Sequence, residues 1–250
     1  MFASLALSLL LFAPQQPLQQ DAYSVLWAEF LEAGEAWSLT AKAYIDSFEG
    51  EEVDYAGMPP LPIPDFYPRF RTLASTGHVE ARLWCLEYVM YSDYAEDLQA
   101  DFVRGEGISL AVALRGDQEH SVRLAVLLSS LATMRFEEPC NDALAFLTAV
   151  SEDEDVERTA ILCRMMALEV LANAGDEEAA SIREGLVDEV LSRWPDSRQA
   201  QSLRGRIFAE RNLQVGMTAP TLTGSDVDGQ PLALADFRGR VVLVDFWGFW

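Results

Sequence analysis

Positive charge is scarce in this sequence: 18 Lys and Arg face 40 Asp and Glu, for a formal charge of -22, and Lys42 is the sole lysine. A surface that negative repels phosphate backbones instead of releasing counterions from them, so nucleic acid is not expected as a partner. Histidine and cysteine are sparse too. His78 and His120 stand in polar segments with no second His or Cys three or four positions away, which leaves a metal site nothing to build on. The three cysteines, Cys85, Cys140 and Cys163, are an odd number, so at most one internal disulfide can form.

Apolar content is ample, at 50% hydrophobic and 10% aromatic residues over 250 positions, enough for one large or two modest domains with a real core. The opening stretch is apolar from about Leu5 to Ala13 and runs into a Pro/Gln segment, the pattern of a secretory signal peptide and its junction over residues 1–20. No Lys or Arg precedes the apolar run, and a buried helix is the competing reading. Either way the run is too short to span a bilayer as a mature helix. A signal peptide implies export, to a periplasmic or cell-envelope location where thiols meet oxidants.

From Asp21 to Asn212 the hydrophobic spacing predicts a helical domain. Its clearest helices are Val25 to Phe48, Val79 to Tyr91, Val122 to Met134, Val156 to Ala172, Ala179 to Trp194 and Arg198 to Glu210. Ser151 and the acids that follow suit a helix start, Gly175 suits a left-handed stop, and "RWPDS" ends one helix at Pro195 and offers Asp196 or Ser197 to cap the next. The last three helices resemble stacked hairpins of the tetratricopeptide kind, without a fixed 34-residue period. Gly50 to Pro68 holds five prolines and reads as a surface loop or hinge.

Chemical candidates in this body are few. Cys85 and Cys163 lie in apolar helical runs and read as small buried hydrophobes. Cys140 follows Pro139 at a helix start, which favours a thiolate, but Glu137, Glu138 and Asp142 oppose it. The acidic pairs Glu51-Glu52, Glu137-Glu138 and Glu177-Glu178 are adjacent in sequence, so on a helix they diverge by about 100 degrees and read as solvated surface. Gly105 to Gly107 lacks the third glycine and the preceding strand of a phosphate cradle. No catalytic, cofactor-binding or metal-binding residue is assigned within the 250 residues.

The pattern changes at Leu213. "DVDGQP" places Asp228-Gly229 as the turn of a hairpin between "TLTG" and "PLALADF", and Val241 to Trp247 then reads as a buried strand of a parallel sheet. With Val215-Gly216, Ala219-Pro220, Asp228-Gly229, Leu234, Asp236, Phe237, Gly239 and the pair Trp247 and Trp250 in order, residues 213–250 resemble the start of a redoxin domain. The family is the TlpA/ResA-type thiol-disulfide oxidoreductases of the thioredoxin superfamily and, more distantly, the alkyl hydroperoxide reductase and thiol-specific antioxidant proteins. Phe249 is bulkier than relatives commonly carry between the two tryptophans.

The resemblance implies a mainly α chain ending in the first hairpin and strand of an incomplete thioredoxin-like α/β domain. It implies an active-site C-x-x-C beyond Trp250, no cofactor, a protein disulfide or thiol substrate, and a thiol electron donor. The 250 residues themselves are then expected to be inactive and the polypeptide to continue past Trp250. One specific form of that expectation is a UGA codon after Trp250, read as selenocysteine. A helical protein-binding or scaffold protein without catalysis is the alternative, and a peroxidase of the antioxidant branch fits less well because it lacks the W-x-x-W spacing.

Overall fold

The computed structural model describes residues 21–49 and 52–245. The expected signal segment, 1–20, and the W-x-x-W of 247–250 lie outside the described residues. The chain divides into two compact units, one up to Arg183 and one from Glu184.

The described residues of the first unit form helices and turns, with no strand. The α1 helix (Ala22–Asp46) begins three residues before its expected start because Asp21 caps it, its carboxylate accepting from the Ser24 amide at 2.8 Å. The proline-rich stretch, read from sequence as loop or hinge, contains the start of α2 (Ile63–Ala74), with Pro64 in its first turn and Pro68 inside it. Pro64 loses nothing there, since first-turn amides have no helical partner. Pro68 removes one interior hydrogen bond at a cost of about 3 kcal/mol. Burial of Phe66, Tyr67 and Phe70 on the same helix offsets that, at roughly 1.5–3 kcal/mol for each fully buried large side chain. The Tyr67 hydroxyl donates to the Cys85 carbonyl at 3.0 Å and ties α2 to α3 (Val79–Glu87).

Four helices follow: α4 (Glu96–Ala113), α5 (Gln118–Ala132), α6 (Glu137–Val150) and α7 (Glu154–Asn173). Sequentially adjacent pairs pack as hairpins, and α4 also packs on α6 and α5 on α7, the order of stacked helical hairpins. This stacking begins earlier than the three helices in which the sequence suggested it. Gly107 makes the α4–α6 approach close: a Cβ built on it would sit 2.8 Å from the Ala143 Cβ. Asp117 caps α5 and Asp153 caps α7. The α7 helix ends at Gly175, φ +100°, with the Asp176 amide donating to the Leu171 carbonyl at 3.1 Å, the closure that a left-handed glycine allows.

Two apolar clusters fill this unit. One is aromatic and centres on Trp84, with Phe70 stacked on it at 4.0 Å and Phe30 edge-on at 5.3 Å. The other is rich in leucine and runs through α4 to α7, including Leu110, Leu124, Leu128, Leu144 and Leu147.

The α8 helix (Glu177–Arg193) runs through the division between the units. In the second unit Ser197 caps α9 (Arg198–Asn212), its hydroxyl accepting from the Ala200 amide at 3.1 Å. Beyond α9 the only sheet among the described residues is a hairpin of β1 (Thr223–Ser225) and β2 (Pro231–Ala233), antiparallel, with Gly224 opposite Leu232. The architecture is mainly α with a small β element, as the sequence implies.

Candidate functional site

The segment from Leu213 carries the sequence resemblance, and its local structure follows from its polar residues. Asp226 organises the hairpin turn: its Oδ1 accepts from the Asp228 and Gln230 amides at 2.9 and 2.8 Å, and its carbonyl accepts from the Gly229 amide at 3.0 Å. Gly229 sits at φ +77°, a left-handed conformation that glycine adopts without strain, within the five-residue connection 226–230. After β2, Leu234–Phe237 form a 3-10 turn closed by Asp236, whose carboxylate accepts from the Ala233 amide at 2.9 Å. The Leu234 amide donates to the Leu222 carbonyl at 2.9 Å, so the turn is fastened to the base of the hairpin.

The strand expected from Val241 is not formed in the described residues. Residues 241–245 pair with no other strand, and Val241 and Leu243 are fully exposed. A run of branched aliphatics makes a strand only when neighbouring strands take its amides and carbonyls and a layer covers each face; a two-stranded hairpin provides neither. Trypsin is expected to cut at Arg211, Arg238 and Arg240 before any arginine between Val79 and Asn173, which mass spectrometry of a time course checks. Early cleavage within α3 to α7 would refute this ordering.

The three thiols are far from reactive. None is joined in a disulfide, and all are buried. Burial pushes Cys85 up to about 12, with Glu106 adding to it, and pushes Cys163 up to about 11. Cys140 is raised to about 12, first by burial and then by Glu137. Its helix-start position gives it no donor of its own, because its amide already donates to the Phe136 carbonyl at 3.0 Å. Glu138 and Asp142 turn to Arg104, at 3.6 and 2.8 Å, so two of the three acids expected to oppose its ionisation are engaged elsewhere.

The histidines have structural partners. His78 caps α3 and stacks on Tyr23 at 4.8 Å. His120 sits between Glu80 and Asp117. Gly105 and Gly107, weighed as a phosphate loop, are helical residues of α4. A cavity of about 220 Å³ lies under the α4–α5 and α6–α7 turns, floored by Ala111, Leu147, Val150 and Val156. Its rim carboxylates are occupied: Asp117 and Asp153 cap helices, and Glu152 pairs with Arg115. Among the described residues no group of His, Cys, Asp and Glu is arranged to hold a metal ion, and no helix is long and apolar enough to cross a membrane.

Comparison with known proteins gives one consistent finding. A 47-residue stretch is 34% identical to the thiol-disulfide oxidoreductase ResA of Bacillus thuringiensis subsp. konkukian, covering 19% of this chain and 27% of that protein. Over that stretch the chain is similar to a thiol-disulfide oxidoreductase. ResA of Bacillus cereus matches to the same extent, and ResA of Geobacillus thermodenitrificans is 38% identical over 50 residues, 20% of this chain and 29% of that protein. The chain thus spans under a third of the length of these curated relatives. No family profile and no solved structure matches it.

Proposed function

We propose that the chain is the N-terminal part of an exported thiol-disulfide oxidoreductase, a helical domain over 21–212 followed from Leu213 by the start of a redoxin domain whose catalytic cysteines lie beyond Trp250. The observation that carries this reading is the pairing of a formed hairpin with an aliphatic run, Val241 to Val244, that is patterned for a sheet and left in solvent. The identity to ResA over 47 to 50 residues of the chain supports it. So does the state of the three native thiols, each raised well above neutrality and none suited to attack a disulfide.

In the proposed reaction a thiolate at a helix N-terminus attacks a protein disulfide, forms a mixed disulfide and releases one substrate thiolate. The second cysteine then attacks the mixed disulfide, releases the other substrate thiolate and leaves an enzyme disulfide. Two electrons have passed to the substrate, and a dithiol protein restores the enzyme. No cofactor takes part. The helical domain would bring a protein partner to this chemistry.

Insulin reduction by the 250-residue chain and by the gene product read through past Trp250 tests the proposal. The shorter chain is expected to show no turnover above dithiothreitol alone. The longer product is expected to turn over, and to lose that activity when its first active-site cysteine, or selenocysteine if the next codon is UGA, is replaced by serine. Turnover by the shorter chain that disappears in Cys140→Ser would overturn the assignment. Absence of redoxin sequence in every downstream frame would leave a helical binding protein as the better reading.

A further inference from the structure

We propose that His120, held between Glu80 and Asp117, is a proton-dependent clasp that reinforces the Arg123–Glu80 link between α3 and α5 and loosens as pH rises. Its Nε2 lies 2.8 Å from Glu80 Oε1 and its Nδ1 lies 2.8 Å from Asp117 Oδ2. An ionised carboxylate has only lone pairs to offer, so both contacts are hydrogen bonds only when both ring nitrogens carry protons, that is, in the imidazolium. A neutral ring keeps one of the two and sets a nitrogen lone pair against a carboxylate oxygen at the other.

The carboxylates are ionised where it matters. The Asp117 carboxyl is held below its usual range first by the bond it accepts from the His120 amide, then by the ring. For Glu80 burial pushes the carboxyl up, but hydrogen bonds from His120 and Arg123 outweigh it and the net shift is down. The groups that face the ring are accounted for by element. Glu80 comes from α3; Asp117 and Arg123 come from α5, with Arg123 on the far oxygen of Glu80. The Tyr23 phenol of α1 feels the same Glu80 carboxylate, being raised first by burial and then by Glu80. The imidazole itself is raised, first by its hydrogen bond to Glu80, against a smaller opposing effect of burial.

The position gives the clasp its leverage. Glu80 is in the first turn of α3, which carries Trp84 and Cys85 of the aromatic cluster, while α5 carries Leu124 and Leu128 of the leucine-rich one. Asp117 is also the cap of α5, so losing the proton strains that helix start and the link to α3 together. The sign is fixed by linkage. A histidine raised in the folded state binds its proton more tightly there than when unfolded, so the stabilisation is complete below the unfolded value, roughly 6.5, and is lost as pH climbs through the folded one.

With two histidines in the chain, imidazole Cε1–H signals can be assigned by His78→Gln and followed by NMR from pH 5 to 10. His120 is expected to titrate above the unperturbed histidine range, and Glu80→Gln to bring its midpoint down. In parallel, Tm of the native chain is expected to fall across that midpoint, and His120→Gln to remove this part of the fall while leaving any loss from other groups. A His120 midpoint at or below about 6.5 overturns the proposal, as does a pH dependence of Tm that His120→Gln leaves unchanged. The NMR titration of the unsubstituted chain decides even if the variant does not fold.

Discussion

Trp84→Ala is expected to lower the unfolding free energy by about 3–5 kcal/mol, the usual cost of emptying a buried aromatic site. Since small domains are stable by only about 5–15 kcal/mol, the variant should be close to unfolding at room temperature. Trp84 is 1% exposed and touches aromatic rings from three helices: Phe30 of α1, Phe70 and Tyr67 of α2, and Tyr88 at the end of its own helix. No single neighbour can relax into the space without leaving another uncovered. The indole N–H, however, is buried without an acceptor. Trp84→Phe therefore removes an unsatisfied donor along with a few carbons, and it is expected to cost far less than alanine, within about 1.5 kcal/mol. Urea denaturation followed by far-ultraviolet circular dichroism measures both. Equal losses for the two variants would show that the ring stack contributes little.

The second large effect is expected at Gly107. Leucine there must displace α6, because the first side-chain carbon alone falls 2.8 Å from the Ala143 Cβ and 3.3 Å from a Leu128 methyl. The Ala143 Cβ is attached directly to a helix backbone and cannot swing aside. Overpacking of this kind costs about 3 kcal/mol. Gly107→Ala sets the same clash, in smaller form, against the roughly 1 kcal/mol by which alanine favours a helix over glycine. Ala143→Gly should relieve it, so the double variant is expected to be more stable than the sum of the two single changes allows, by more than about 0.5 kcal/mol. Simple additivity would place the α4–α6 contact elsewhere.

Those two sites also show what could be read before the structure. Stops and caps were legible because their chemistry is local: Gly175 takes a positive φ, Ser197 accepts from the Ala200 amide, and Gly229 turns the hairpin, all from signals within four residues. The α2 and α4 helices were not legible, for opposite reasons. Prolines at 64 and 68 speak against a helix locally and are overruled by Phe66, Tyr67 and Phe70 packing on distant residues. Gly105 and Gly107 weaken α4 in isolation, and the value of Gly107 lies in a contact with α6 that lies more than thirty positions away. The same non-locality explains the run from Val241, whose pattern speaks for a strand while its geometry waits on neighbours. Of the candidate chemistry, the burial of Cys85 and Cys163 follows from the apolar runs around them, whereas Cys140 stands among acids in sequence and is buried by the packing of α6. The clasp at His120 joins residues forty apart and gives no sequence signal beyond two acids and a histidine.

Three thiols sealed in two different clusters, Cys85 among the aromatics and Cys140 and Cys163 among the leucines, make the helical unit a recorder of its own opening. A small disulfide reagent reaches each sulfur only when the surrounding side chains part, so each labelling rate reads the population of an open state at one address. If the two clusters part together, the three rates coincide and the unit behaves as one cooperative block. If α1 to α3 can lift from α4 to α7, Cys85 runs ahead of the other two. The burial that makes these sulfurs chemically idle thus turns them into clocks, wound by the protein and needing no added probe.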